Sequence, residues 1–170
     1  SNPYGLAAIP GSADVLLADA AGNDVLRIKP DGRITTVARF QVEPVATDHI
    51  PDFPGPPSLD AESVPTSIVV ARDGIYVGEL KGFPFRPGSS NVYRIDRGTR
   101  GVTCGPTEPD PRCEVAHDDL TAIQDMAIDP ATGRTYVYEL AADGTLAFEA
   151  GFETGEFPPA VLLEIKPDGF

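Results

Sequence analysis

Three carboxylates recur at equal intervals in this 170-residue chain: Asp19, Glu79 and Glu139. Each closes a short β-prone run, Val15-Leu16-Leu17-Ala18-Asp19, Ile75-Tyr76-Val77-Gly78-Glu79 and Thr135-Tyr136-Val137-Tyr138-Glu139. Gathered at one point, they would form a ring of hard oxygen ligands suited to Ca²⁺. The same recurrence would equally serve a scaffold, each carboxylate accepting backbone N–H groups where a neighbouring strand begins. Tyr4, Thr66 and Asp125 stand at the start of a second recurring run and are candidate ligand-binding groups. Phe83 and Phe85, stiffened by Pro84, are candidates for an apolar anchor that takes a small molecule or a protein. His117-Asp118-Asp119 sets a base beside carboxylates, yet no G-x-S-x-G turn supplies a nucleophile. His117 and His49 both read as solvated loop histidines, and no catalytic residue is assigned.

Cys104 and Cys113 bracket a Pro-rich loop, CGPTEPDPRC. A loop this tight makes a disulfide sterically feasible, which points to an oxidising compartment. Neither histidine has zinc-ligand spacing to the pair.

The elements that would position these groups are short strands. Tyr4 to Ile9, Val15 to Ala20, Val25 to Ile28 and Ile34 to Ala38 are apolar runs separated by Pro10-Gly11, Gly22-Asn23 and Pro30-Asp31-Gly32. Turn residues at that density predict an antiparallel four-stranded meander. The meander then returns. Asn2-Pro3-Tyr4-Gly5-Leu6-Ala7 is echoed by Val64-Pro65-Thr66-Ser67-Ile68-Val69 and, more weakly, by Ile123 to Ile128. A third strand recurs as Val25-Leu26-Arg27-Ile28, Val92-Tyr93-Arg94-Ile95 and Leu162-Leu163-Glu164-Ile165. The turn Lys29-Pro30-Asp31-Gly32 recurs as Lys166-Pro167-Asp168-Gly169.

Four strands per copy, repeated, is the pattern of propeller blades. The expected fold is all-β: a β-propeller with four-stranded antiparallel blades, of which this chain supplies about three. A closed ring takes about 4–8 blades, so the remainder is expected from the same precursor or from another chain. Blade one covers 1–40, a strandless Pro-rich insert covers 41–63, blade two covers 64–121 and an incomplete blade three covers 122–170. The fourth strand of blade two is expected to start near Val102, break at the cysteine loop and resume at Glu114-Val115-Ala116. At most one helical turn is expected, between Asp118 and Met126. In a propeller the starts of first strands and the ends of second strands share a face. The inserts 41–63, 81–90 and 141–159 leave from that face too, which makes it the candidate functional face.

Gly and Pro contribute 17 and 18 residues, which suits turns and disfavours helices. The net charge of −13 excludes phosphate-driven nucleic-acid binding, which needs clustered Lys and Arg. It equally disfavours anionic membrane surfaces.

The stretches NPYGLAA, LLADAAGNDVLRIKPDG, VPTSIVVARDGIYVGELKGFPFRPG and NVYRID resemble the ScyD/ScyE family, bacterial β-propeller proteins of secreted type. VGELKGFPF is the most specific of them. The resemblance implies a propeller in a chain about twice this long, secreted or periplasmic, whose leader precedes this sequence. QDMAIDPATGRTYVYEL departs most from the pattern, and the cysteine loop is an addition. Three functions follow as expectations. The first is a binding or scaffold protein using the loop-rich face. The second is a Ca²⁺-dependent hydrolase or lyase with carboxylates at the channel mouth. The third is a structural part of an extracellular assembly.

Overall fold

The computed structural model describes residues 1–167. Chain order begins with β1 (Pro3–Ala8), β2 (Val15–Asp19), β3 (Asp24–Ile28) and β4 (Ile34–Phe40). These form the predicted antiparallel meander, with Leu6, Leu17 and Leu26 in one cross-strand row. A hairpin, β5 (Glu43–Ala46) and β6 (Ser58–Ala61), follows. Then come β7 (Pro65–Val70), β8 (Ile75–Glu79), β9 (Ser90–Ile95), β10 (Val102–Cys104) and β11 (Cys113–Leu120). The last elements are β12 (Ile123–Ile128), β13 (Thr135–Glu139), α1 (Gly144–Thr154) and β14 (Val161–Ile165).

Besides the two-stranded β5-β6 sheet, three larger sheets result: β1-β2-β3-β4-β10, β7-β8-β9-β11 and β12-β13-β14. Their inner strands β1, β7 and β12 pack side by side. Gly5 allows the first approach, since a Cβ there would stand 2.6 Å from the carbonyl oxygen of Thr66. Period-two alternation gives each sheet two faces. Leu16, Ala18 and Val25 of the first sheet bury against Ile68, Val77 and Tyr93 of the second. Val69 and Tyr76, on the second sheet's other face, meet Met126, Val137 and Ile165 of the third. The two outermost faces stay uncovered: Leu6 on the first sheet and Leu162 on the third are each 70% exposed.

Four expectations are corrected. The insert 41–63 contains the β5–β6 hairpin, because Pro44 and Asp60 face each other at a register that buries Val45 and Ala61. Pro is tolerated in such a two-stranded edge. Residues 118–126 hold no helical turn; they end β11 and begin β12. The helix lies instead in the insert 141–159. It sets Phe148 and Phe152 one turn apart, where they cluster with Phe157. Gly155 ends it in the left-handed conformation, φ 79°. The fourth strand of the second sheet is β11 alone, because β10 crosses to pair in parallel with β4 of the first sheet. The turn expected at Asp168-Gly169 lies outside the described residues.

Cys104 and Cys113 form the disulfide, with Cα atoms 5.5 Å apart. One half sits on β10 and the other on β11, so the bond staples the first sheet to the second. Closing a loop of this size stabilises by about 2–3 kcal/mol through the unfolded chain. Urea titration of the oxidised protein and of the Cys104→Ser, Cys113→Ser variant is expected to differ by that amount. Equal midpoints would show that the sheets hold together without the staple.

Candidate functional site

Asp19, Glu79 and Glu139 occupy equivalent places, opposite Pro3, Pro65 and Ile123 on the inner strands. Each ties down the entrance to its own inner strand. Asp19 accepts from the backbone N–H of Asn2 at 2.6 Å and of Gly22 at 3.2 Å. Glu79 accepts from the Ser63 hydroxyl at 2.5 Å, and from the backbone and side-chain nitrogens of Asn91 at 3.0 and 2.7 Å. Glu139 accepts from the Thr121 N–H at 2.7 Å. A second bond repeats beside each clamp. The N–H groups of Ala20, Leu80 and Leu140 donate to the carbonyls of Asn2, Val64 and Ala122 at 2.9, 3.0 and 3.0 Å. Among the described residues no three His, Cys, Asp or Glu side chains are grouped to hold a metal ion. The expected Ca²⁺ ring is therefore corrected to three separate scaffold clamps: Asp19 and Glu139 take backbone N–H groups at the inner-strand entrance, and Glu79 takes the Ser63 hydroxyl there and the nitrogens of Asn91 on β9.

Immediately after each clamp the inner strand bulges by one residue, between Pro3 and Gly5, Pro65 and Ser67, and Ile123 and Asp125. The bulged residues are Tyr4, Thr66 and Gln124. This corrects the sequence register of the third copy by one, so that Asp125 is the counterpart of Gly5 and Ser67. A bulge re-aims one side chain out of alternation. Here the Tyr4 hydroxyl donates to Gln124 Oε1, and Thr66 Oγ1 donates to the carbonyl of Ile123 at 2.6 Å. Tyr4 and Thr66 are thus brought to the line of inner strands as expected, whereas Asp125 instead accepts from the Met126 N–H at 2.8 Å.

Glu79 belongs to a buried network that the sequence did not announce. Lys81, only 1% exposed, sets its ammonium 2.7 Å from both Glu79 and Glu43. The Tyr93 hydroxyl donates to Glu43 at 2.8 Å. Burial pushes the Glu79 carboxyl up to about 7, against the downward pull of Lys81 and the Ser63 hydroxyl. Glu43 lies on β5, so this network bolts the insert hairpin to the second sheet.

The three inserts meet on the loop-rich face. A cleft of about 450 Å³ is lined by His49, Ile50 and Pro51 of the first insert, Phe85 and Pro87 of the second, and Asp143, Leu146 and Ala147 of the third. His49 Nε2 lies 2.9 Å from the Pro84 carbonyl oxygen, and its Nδ1 is buried without a hydrogen-bond partner. His49 is therefore anchored, not a solvated loop residue. Phe85 lines the cleft, while Phe83 stands edge-on to it and packs near Phe53. An adjacent polar cleft of about 440 Å³ is lined by Glu43, Arg86, Ser89, Asn91, Asp118 and Asp119. His117 is on β11, half-buried, and burial pushes its imidazole down. It lines a third cleft of about 490 Å³ with Tyr76, Arg94 and Lys166. Sequence reasoning placed the inserts on one face but missed His49 and α1, because nothing local in a sequence reports which loops touch.

No family model and no curated protein matches the chain. Among solved structures, the PQQ-bound aldose sugar dehydrogenase from Streptomyces coelicolor superposes with a TM-score of 0.56 at 16% identity, over 99% of this chain and 46% of that one. The likeness shows a β-propeller-like fold. The chain spans less than half the length of that structure.

The Lys81 network predicts a pH signature. The Glu79 carboxyl is held above its ordinary 4.5, so its stabilising contribution is complete below pH 4.5 and is lost as pH rises through about 7. Lys81→Met leaves that carboxylate buried with less compensation, costing about 3 kcal/mol at pH 8. At pH 5 the cost is expected to shrink, because Glu79 then takes a proton. Urea unfolding at the two pH values checks this, and an equal loss at both would refute the coupling.

Proposed function

We propose that this chain forms about three blades of a larger propeller ring and acts as a binding protein through its loop-rich face. The observation that carries the reading is the meeting of three inserts, distant in sequence, around one cleft of about 450 Å³. That volume falls within the range of small-molecule sites, about 300–1,000 Å³, and the lining has the expected mixture of apolar walls with few polar groups. The scaffold beneath is rigid, and the variable loops above it are where binding is concentrated.

The larger ring is supported by the two uncovered sheet faces. The row of Leu6 corresponds by register to the row of Ile68 and Val77, which buries against the preceding sheet. Ala127 and Tyr136 correspond to Val69 and Tyr76, which receive the following sheet. A preceding blade would cover Leu6, and a following one would cover Tyr136, Tyr138 and Leu162. The disulfide supports an extracellular or periplasmic setting, where such bonds persist. The dehydrogenase shares the fold at 16% identity, and its redox chemistry is not carried over.

Two measurements test these readings. Screening a fragment library by amide chemical-shift changes is expected to perturb Ile50, Phe85 and Leu146 ahead of the rest of the chain. Hits confined to the cleft of Tyr76, Arg94 and His117 would overturn the choice of face. For the ring, Leu162→Asp is expected to change the stability of this chain alone by less than about 0.5 kcal/mol, as for an exposed site. In the completed ring the same change would bury a charge and cost about 2 kcal/mol or more. Equal small effects in both would mean that no blade covers the third sheet.

A further inference from the structure

A further cleft, of about 340 Å³, lies between the first and second sheets at the end of the strands opposite the clamps. Ile9, in the turn after β1, and Val70, at the end of β7, are its half-buried walls. Leu16, Val37 and Ile75 close its floor. The charged residues that line it are Arg27 on β3 and Arg97 in the turn after β9, and no carboxylate joins them there. An apolar cleft with only cations on its lining is a departure in a chain of 26 Asp and Glu against 13 Lys and Arg.

The repeat supplies a second, independent observation. Arg27 and Arg94 hold equivalent places on third strands, Arg27 opposite Leu16 and Thr35, Arg94 opposite Tyr76 and Glu114. Arg94 lines the corresponding cleft between the second and third sheets. There it is surrounded by acids: Glu114 at 3.1 Å, Asp96 at 3.2 Å and Asp73 at 3.8 Å. In the first sheet Thr35 stands where Glu114 does, and Lys29 where Asp96 does. Arg27 keeps one acid, Asp14, which takes its Nε at 2.6 Å. Its two Nη groups have no acceptor among the described residues, and its side chain is 25% exposed. Arg97 is exposed and belongs to none of the ion pairs among the described residues. The acids nearest to the two are already engaged, Asp14 by Arg27 and Asp96 by Arg94. The cleft therefore presents open guanidinium donors, whose planar fork matches a carboxylate. At physiological salt, charges more than about 8 Å away are largely screened, so the net charge of −13 counts for less here than these two groups.

We infer that this cleft is a second binding site, separate from the insert cleft, and that it takes a small organic anion: an apolar, ring-sized body carrying a carboxylate. The carboxylate pairs with Arg97 in the field of Arg27, while the body packs on Ile9 and Val70. The volume lies at the small end of the range for small-molecule sites, about 300–1,000 Å³. No bond forms or breaks, so the site recognises and does not transform. A neutral alcohol of the same shape keeps the packing and loses the charge pairing. An amine of the same shape meets two cations and is repelled.

The test is a titration of the purified protein with cyclohexanecarboxylate, cyclohexylmethanol and cyclohexylmethylamine, followed through the amide signals of Ile9, Val70, Gly98 and Thr99. The expected order of affinity is acid, then alcohol, then amine. Arg97→Gln is expected to weaken the acid about fivefold, the scale of an exposed ion pair, while leaving the alcohol unchanged. Thr35→Glu gives Arg27 the cross-strand acid that Arg94 already has, without altering the lining, and is expected to weaken the acid alone by a similar factor. The unchanged alcohol reports in both variants that the cleft is intact. Binding with no preference for the acid, an acid affinity indifferent to both substitutions, or no shift at these residues with any of the three probes would overturn the inference. None of these outcomes touches the insert cleft, which lies at the other end of the strands.

Discussion

The structure depends on the clamp at each inner-strand entrance. A carboxylate at the end of the second strand accepts the N–H groups that a strand entrance leaves unpaired, and those groups are expensive to bury without a partner. Asp19 and Glu139 answer this need at their inner-strand entrances, and Glu79 takes the Ser63 hydroxyl at its own and the Asn91 N–H near the start of β9. The clamp fixes where pairing starts, so the bulge that follows falls at the same place three times. It also fixes where the inserts are rooted, since the loops after Leu80 and Leu140 leave directly from clamped residues. In the second and third sheets the loops therefore grow from the most securely held points, whereas the first insert leaves after β4.

The second sheet uses its clamp for more. An ammonium as buried as that of Lys81 is tolerated only with close compensation, and it has two carboxylates at 2.7 Å. One belongs to the sheet and the other to the insert hairpin. Lys81 takes a left-handed backbone, φ 66°, to reach both. A non-glycine residue held there costs about 1–3 kcal/mol, so the network must over-determine its position. The triad thus ties β5 to the second sheet. Two residues after Asp19 and Glu139 the chain has Ala21 and Ala141 where the second sheet has Lys81, so the ion triad belongs to the second sheet alone among the three clamps.

Much of this was legible in the sequence, and the failures have physical causes. The meander, the disulfide pair and the recurrence of three carboxylates follow from period-two patterning and turn chemistry, which act locally. A recurring carboxylate reads the same whether it serves a metal or a backbone, since both want two anionic oxygens. Only the partners distinguish them, and here the partners are the protein's own N–H and O–H donors. The third repeat was misread by one residue because Ile123 stands where the other copies have Pro3 and Pro65, leaving no proline to mark the register, so Asp125 took the place of Gln124. β10 was assigned to the wrong sheet because a three-residue strand carries no register information of its own. Its pairing with β4 is long-range. Helix α1 sits in a segment with two glycines and no charge pattern, and its Phe148–Phe152–Phe157 cluster is what sustains it.

The cleft and the core are nearly separable, which bears on how such a face acquires specificity. The buried apolar residues concentrate in the three sheets; the inserts contribute Val45, Ala61 and Ala141. Cleft residues such as Ile50, Phe85 and Leu146 face one cleft from different inserts but lie outside both core clusters. Substitution among them therefore changes what the cleft accepts at little expense to folding, whereas substitution at the clamps changes both. His49 stands between the two regimes. Its bond to the Pro84 carbonyl couples the first insert to the second, and its ring lines the cleft. Two walls of the cleft are held together by a single imidazole contact, so a change at His49 alters both the shape of the cleft and the docking of the inserts that form it.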